Sequence, residues 1–257
     1  MKTIAIMNFK GGVGKTVTTI NMAAELANRG KRVVVIDADG QRNLSSFFGA
    51  DTDNGGTLYE VLAGEAEPFY GDVLQHTKVD RVSILPASME LIHADLSALN
   101  DGTVNLMAVS ELVATLAEDD AADYVLIDCP PSFSASTTAA LAAADEVIIP
   151  LRLDAFSLAG MDELLYQIGE MRCVNPRLKV AGVLITMRFI ANAEAQAEEA
   201  LRKLRVPVFR QKIRRSVIVE ESTFSRLPLR AYALTSAVAQ DYAAFVDEYL
   251  ENGGAAK

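Results

Sequence analysis

Short runs dense in β-branched and aliphatic residues recur along the chain: Lys2 to Asn8 (KTIAIMN), Arg32 to Asp37 (RVVVID), Val82 to Leu85, Tyr124 to Asp128, Glu146 to Pro150 and Lys179 to Thr186, with Val206 to Phe209 a weaker one. Unbroken apolar runs of this length fit strands covered on both faces, as in a parallel sheet. Stretches with helical spacing separate them. Val17 to Asn28 places Ile20, Ala23, Ala24 and Ala27 along one side and stops before Gly30, a residue type that commonly closes helices. Leu106 to Ala117, Met161 to Cys173 and Ala193 to Leu204 repeat the pattern. The opening strand, loop, helix and strand make a βαβ unit. Its recurrence predicts an α/β fold, a single doubly wound, mostly parallel sheet with helices on both faces and right-handed crossovers. No internal repeat or linker interrupts it, so residues 1–250 are expected to form one domain and 251–257 (ENGGAAK) a flexible tail.

Composition narrows the class. With 257 residues, half of them hydrophobic, the chain is long enough for one sizeable core. Its longest apolar runs, such as Val33 to Ile36, fall far short of the roughly 20 residues of a membrane span. The N-terminus lacks the apolar segment and cleavage site of a secretory signal, so a cytoplasmic location is expected. Cys129 and Cys173 lie 44 positions apart, with no CxxC and no neighbouring His, and read as buried apolar fillers. His76 and His93 have no companions at metal-ligand spacing and read as surface or capping residues.

The net charge of -10 argues against a polyanionic partner until its distribution is considered. From Arg172 to Arg230 there are 13 Lys or Arg against five Asp or Glu, while the other 198 residues carry 11 against 29. One region is basic on an acidic body. Within it, Arg202 to Arg215 holds seven basic residues in fourteen and no acid. Arg202 and Lys203 have Glu198 and Glu199 one helical turn before them, as expected of a solvated helix face. Arg205, Arg210, Lys212, Arg214 and Arg215 lack such partners and read as a phosphate-binding surface.

The chemistry begins at Lys10 to Thr16 (KGGVGKT), between the first strand and the first helix. Backbone N–H groups freed by the glycines, together with the helix N-terminus, cradle the α and β phosphates of a nucleotide. Lys15 reaches the outer phosphates and the Thr16 hydroxyl coordinates Mg2+. The strict GxxxxGK[ST] pattern fails, because Phe9 stands where its first glycine belongs and a second lysine, Lys10, opens the loop. Magnesium phosphate also calls for a carboxylate at a strand end. Asp128 ends YVLID, while Asp37 and Asp39 close the second strand in VVVIDADGQ. The two residues of the latter pair face one way if the strand continues to Asp39 and diverge if it turns at Gly40.

KGGVGKT at 10–16, IDADGQ at 36–41, LIDCPPS at 126–132 and VIIP followed by LAGMDELL within 147–165 resemble the deviant Walker A ATPases, P-loop NTPases of the ParA partition group with its Soj-like members and MinD as a cousin. The resemblance covers nearly the whole chain. It implies ATP and Mg2+ as cofactors, with Lys10, Gly11, Gly12, Val13, Gly14, Lys15, Thr16 and Val17 around the phosphates and Met187 and Ile213 beside the base. It further implies that Lys10 reaches the nucleotide of a partner subunit, that Asp39 positions the attacking water, and that Asp37 and Asp128 support Mg2+ with Thr16. Lys10, Lys15 and Asp39 are then the catalytic set.

Three departures stand out: DADGQRN, with Gly40 and Arg42 where the family has Pro and Gly, puts a cation near the phosphates; IRRSV at 213–217 has Arg214 for Pro near the base; and the loop after Thr186 (MRFIANAEAQ) lacks the family wording. The resemblance implies a weak ATP hydrolase, stimulated by a ParB-like partner, that forms a homodimer in the ATP state and grips double-stranded DNA without sequence preference, cytoplasmic and nucleoid-associated. Met1 stands a few residues before the loop, so no operator-reading extension is expected. A MinD-like membrane role needs a basic amphipathic C-terminal helix, whereas AQDYAAFVDEYLE is acidic, so no membrane partner is expected. A metabolic P-loop enzyme is the other rival.

Overall fold

The computed structural model describes residues 1–53, 56–100, 102–154, 160–188, 198, 199, 201 and 203–253. Seven strands form one sheet in the order β3-β4-β2-β5-β1-β6-β7. The strands are β1 (Lys2–Ile6), β2 (Val33–Asp37), β3 (Gln75–His76), β4 (Val82–Leu85), β5 (Tyr124–Asp128), β6 (Glu146–Arg152) and β7 (Lys179–Thr186). All neighbours run parallel except the short edge strand β3. The mostly parallel, doubly wound sheet anticipated from the apolar runs is the fold of the chain.

Each strand divides its side chains between two cores, because successive residues point to opposite faces. Ile4, Ile6, Val33 and Val35 meet α1 (Lys15–Asn28), α2 (Asn43–Phe48) and the C-terminal helix Ala237–Glu251, through Ile20, Leu26, Phe47, Phe245 and Tyr249. Ala5, Val34, Ile36 and Ile127 meet α3 (Leu58–Ala63), α5 (Leu91–Asn100), α6 (Ala108–Glu118), α7 (Ala135–Ala143) and the helix Met161–Glu170, through Leu62, Leu91, Leu112, Ala139 and Leu164. The short α4 (Tyr70–Val73) lies between α3 and β3 in the chain.

Several expectations are corrected. Val206 to Phe209 is no strand; it makes a single bridge, Val183 with Val208. The helix expected to run through Cys173 ends at Glu170, and Met171–Cys173 is a 3-10 turn. Cys173 is exposed, although Cys129 is buried; the turn points the Cys173 thiol outward. The helix expected over Ala193 to Leu204 lies largely outside the described residues, as does most of the loop after Thr186. At the C-terminus, Glu251 is still helical, Asn252 caps the helix, and 254–257 lie outside the described residues.

Candidate active site

The register puts three strand ends together: Ile6 of β1 and Asp37 of β2 both pair with Asp128 of β5, at the carboxyl edge where open α/β sheets take ligands. From β1 the chain turns through the glycine loop into α1. Gly12 and Gly14 have φ of 71° and 87°, a left-handed conformation that residues with a Cβ adopt only at a cost. Gly14 is the N-cap of α1, contributes no side-chain cap, and no acid stands in the first turn. The first N–H groups of the helix are thus left for an outside anion.

Lys15 is buried and its ammonium donates to the carbonyl oxygens of Asn8 (3.0 Å) and Lys10 (3.2 Å). Burial holds its pKa below the usual lysine value, against the opposing pull of Asp128. Asn8 shapes the loop further, accepting from the Lys10 N–H at 2.9 Å and donating to the Pro150 carbonyl at 2.8 Å. Nothing in the local sequence singles Asn8 out, because its partners lie on β6 and in the loop itself.

Asp128 and Asp37 are both buried beside this lysine. Burial, then the neighbouring Asp37 charge, pushes the Asp128 carboxyl up to about 8, although Thr16 hydrogen-bonds to it and Lys15 lies near. Burial likewise raises Asp37 to about 6, against hydrogen bonds from Ser45 and Asp39. Two carboxylates side by side in a dry site resist ionising together, and a bound cation would offset that cost. The donor set of Thr16 and Asp128 next to a phosphate cradle therefore fits Mg2+.

β2 ends at Asp37, so Asp37 and Asp39 diverge. One Asp37 oxygen accepts the Asp39 N–H at 3.2 Å; the other accepts the Ser45 N–H (2.8 Å) and hydroxyl (2.7 Å), and Ser45 Oγ in turn accepts the Ala87 N–H at 2.9 Å. Asp37 anchors the 38–45 loop. Asp39 is half-buried and accepts the Gln41 N–H at 3.0 Å. Arg42, expected near the phosphates, sends its guanidinium to the Thr52 hydroxyl at 3.2 Å. Lys10 points to Asp154, with Nζ 2.7 Å from each carboxylate oxygen.

Beside the glycine loop opens a cleft of about 280 Å3 lined by Gly14, Val17, Met187 and Ile213, together with Arg152, Thr186, Val219 and Tyr242, which the sequence did not single out. Thr186 Oγ1 donates to the Val13 carbonyl at 2.8 Å, tying the end of β7 to the loop. Val17, Met187 and Ile213, expected at the nucleotide, thus share one mostly apolar cleft with Gly14, suited to a base.

The basic stretch is corrected in one respect. Arg210, Lys212 and Arg214 lack helix-spaced partners but have carboxylates from other elements. Arg214 makes a two-point contact with Asp241 (2.7 and 2.8 Å), Arg210 lies 3.5 Å from Glu248, and Lys212 pairs with Glu198. The backbone N–H groups of Arg210, Gln211 and Arg214 also go to Glu248 and Asp241. The C-terminal helix supplies both acids, seven residues apart, a pairing no local spacing reveals. Arg205 is exposed in a left-handed turn (φ 55°), and Arg215 lines the cleft beside the glycine loop. Arg188, unflagged in the sequence, adjoins Arg210, Lys212 and Arg214. Among the described residues no group of three or more His, Cys, Asp or Glu forms a separate metal site, and no helix is long and apolar enough to cross a membrane.

Residues 1–180 match the family described as AAA domain. The chain is 37% identical over 253 residues to the chromosome-partitioning ATPase Soj of Thermus thermophilus, covering 97% of this chain and 96% of that protein. It is 35% identical over 246 residues to the chromosome partitioning protein ParA of Caulobacter vibrioides, covering 94% and 91%. Among solved structures, cobyrinic acid a,c-diamide synthase from Mycobacterium smegmatis, with bound ATP analogue and magnesium, aligns with a TM-score of 0.81 and 29% identity over 100% of this chain and 99% of that one.

Proposed function

The chain belongs to the ParA/Soj family of partition ATPases, and from that premise we propose that it is a nucleotide switch, dimeric and DNA-bound with ATP, monomeric and released after hydrolysis. It is an ATP hydrolase of the P-loop type. The observation that carries the reading is the carboxyl edge itself, where a glycine loop, a buried lysine and two buried strand-end aspartates converge. When bound, Mg2+ held by Thr16 and Asp128 supplies positive charge against the phosphates.

The residues divide the work. The loop N–H groups and Lys15 bind the phosphates, and Lys15 needs only to exchange two carbonyl partners for phosphate oxygens. Asp39, on the loop that Asp37 anchors, orients water; Asp37 supports the metal site indirectly, since its oxygens already hold Asp39 and Ser45. Lys10 leaves Asp154 and crosses to the nucleotide of a second copy. A phosphoryl transition state that spreads its charge needs these positioned cations more than a nucleophilic side chain. Arg205, Arg210, Lys212, Arg214 and Arg215 meet DNA phosphates, and a ParB-like partner stimulates turnover. The protein works in the cytoplasm on the nucleoid. The C-terminal helix supports a non-membrane role, because its apolar residues Val238, Tyr242, Phe245 and Tyr249 are spent on the core.

The similarity to the synthase favours a second reading, a metabolic P-loop enzyme whose turnover follows a small-molecule substrate and ignores DNA. One experiment separates them. Random duplex should be shifted by the ATP-loaded protein at low salt and not by the nucleotide-free protein or by Lys15→Ala. Equal shifts with and without ATP, or none in either state, would sink the switch.

A further inference from the structure

Three of the five cations singled out in the sequence are neutralised within the chain. Arg210, Lys212 and Arg214 each face a carboxylate. A second basic groove, of about 700 Å3, runs between the C-terminal end of α1, the turn before β4 and the turn after the helix Val217–Phe224. Lys78, Arg81, Arg226 and Arg230 line it, over a floor that includes Ala24 and Ala27. Its acids are few and shared. Asp80 meets Arg81 at 3.6 Å while almost wholly in solvent, and Glu25 is divided between Arg29 at 2.6 Å and Arg230 at 3.5 Å. Among the described residues no carboxylate pairs with the exposed Lys78 or Arg226.

Backbone geometry is a second, independent observation. Arg81 and Arg226 stand in the left-handed region, with φ of 62° and 51°. The Arg226 N–H donates to the Thr223 carbonyl and the Leu227 N–H to the Ser222 carbonyl, both at 3.1 Å. That pair of bonds closes a helix around a left-handed residue, a position glycine fills at less cost. Both turns thus set an arginine, where glycine is easier, on the lining of the groove. Arg226 also lines a smaller, separate cleft with Thr16, Val17 and Asn43, at the N-terminal end of α1.

We propose that this groove docks the phosphate backbone of duplex nucleic acid, a contact surface additional to the 205–215 stretch; the inference rests on the DNA-tethered reading above. Four cations, from the turn before β4, the turn at Arg226 and the helix Leu229–Ala233, match a polyanion read by charge rather than by base edges. A lipid surface fits less well. Burying the exposed Phe224 in a bilayer would carry Glu220 and Glu221, exposed on the same helix, into anionic headgroups.

The test titrates ATP-loaded full-length protein against a labelled random-sequence duplex over a range of salt, with anionic vesicles of phosphatidylserine and phosphatidylcholine as a second arm. Arg226→Gly should bind the duplex about tenfold more weakly, with a log-log salt slope shallower by about one, while its thermal midpoint holds or rises because glycine relieves the left-handed turn. Lys78→Glu combined with Arg81→Glu should lose more. Wild-type affinity and slope in both variants would overturn the proposal. So would vesicle binding tighter than duplex binding and lost in these same variants, which would assign the groove to lipid. If only substitutions at Arg188, Arg210 and Lys212 weaken the shift, the groove is wrong and the DNA-tethered reading stands; if wild type gives no ATP-dependent shift, that reading falls and this one with it.

Discussion

Asp128 and Asp37 share a dry corner with Lys15, and their titration makes the stability of the fold depend on pH. In the unfolded chain an aspartate ionises near its ordinary value of 3.8, whereas folded Asp128 is pushed up to about 8. Between those values the folded state holds a proton that the unfolded state has lost, so folding weakens as pH rises through the window. Without nucleotide and Mg2+, Asp128→Asn should therefore melt above wild type by about 5 °C or more at about pH 8, the gap narrowing toward about pH 5. Scanning calorimetry at the two pH values decides it; a gap that widens on acidification would contradict the burial argument. Asp39 is a different case, half-buried on a loop and held at its own turn. Asp39→Ala should leave ATP affinity within about threefold of wild type while cutting turnover by about a hundredfold, because the phosphate cradle does not depend on it. Calorimetric binding and a phosphate-release assay on the same sample would test this, and unchanged turnover would move the water-orienting role elsewhere.

At the scale of elements, the C-terminal helix acts as a clamp on the segment that forms one wall of the cleft beside the glycine loop. Asp241 accepts the Arg214 backbone and guanidinium, and Glu248 accepts the backbone of Arg210 and Gln211. Between them Ile213 is buried and donates its N–H to Ile185 of β7 at 2.8 Å. Replacing Asp241 by Ala leaves the Arg214 N–H without its acceptor, at a cost of about 1–3 kcal/mol. Asp241→Ala should accordingly melt about 3–10 °C lower and bind ATP less tightly, since the base wall loses its tether. Thermal melts with and without ATP report both effects; an unchanged melting point would mean that the wall is held by β7 alone. The same helix closes the far edge of the sheet, where the Tyr249 hydroxyl donates to buried Glu146 at 2.7 Å while Lys2 and Lys179 neutralise it.

For the whole molecule, the proposed switch requires one chain to become two on binding ATP. Lys10 is engaged by Asp154 within its own chain, so a dimer contact by Lys10 exchanges one anion for another. A ligand shifts such an equilibrium only by the contacts it makes in one state and not the other, and the nucleotide phosphates supply them. Lys10→Ala is expected to keep ATP binding and lose both ATP-dependent dimerisation, read by sedimentation, and turnover. Mixing it with Lys15→Ala, which retains Lys10, should restore part of the turnover if the lysine acts across the interface; no recovery would place its role within one chain. A dimer of the proposed kind would also double every basic surface on a rigid body, which would make DNA affinity a function of oligomeric state.

The sequence by itself determined the sheet and the glycine loop at its carboxyl edge. Buried parallel strands leave unbroken apolar runs, and a glycine-rich turn between strand and helix is local by nature, so β2, β4, β5 and β7 and the 10–16 loop are legible from neighbours in the chain. α7 is harder to read because Ala135–Ala143 is buried almost all round and carries no amphipathic stripe. What only the tertiary structure decided are meetings between residues far apart in sequence. It took Arg210 and Arg214 from the expected free surface to Glu248 and Asp241, gave Asp37 to Ser45, set Cys173 outside the core and brought Val17, Met187, Ile213 and Tyr242 around one cleft. Spacing along the chain fixes which residues share a face of one element; which carboxylate a given arginine meets depends on how the elements pack, and the helix that supplies those carboxylates lies some 30 residues further along the chain.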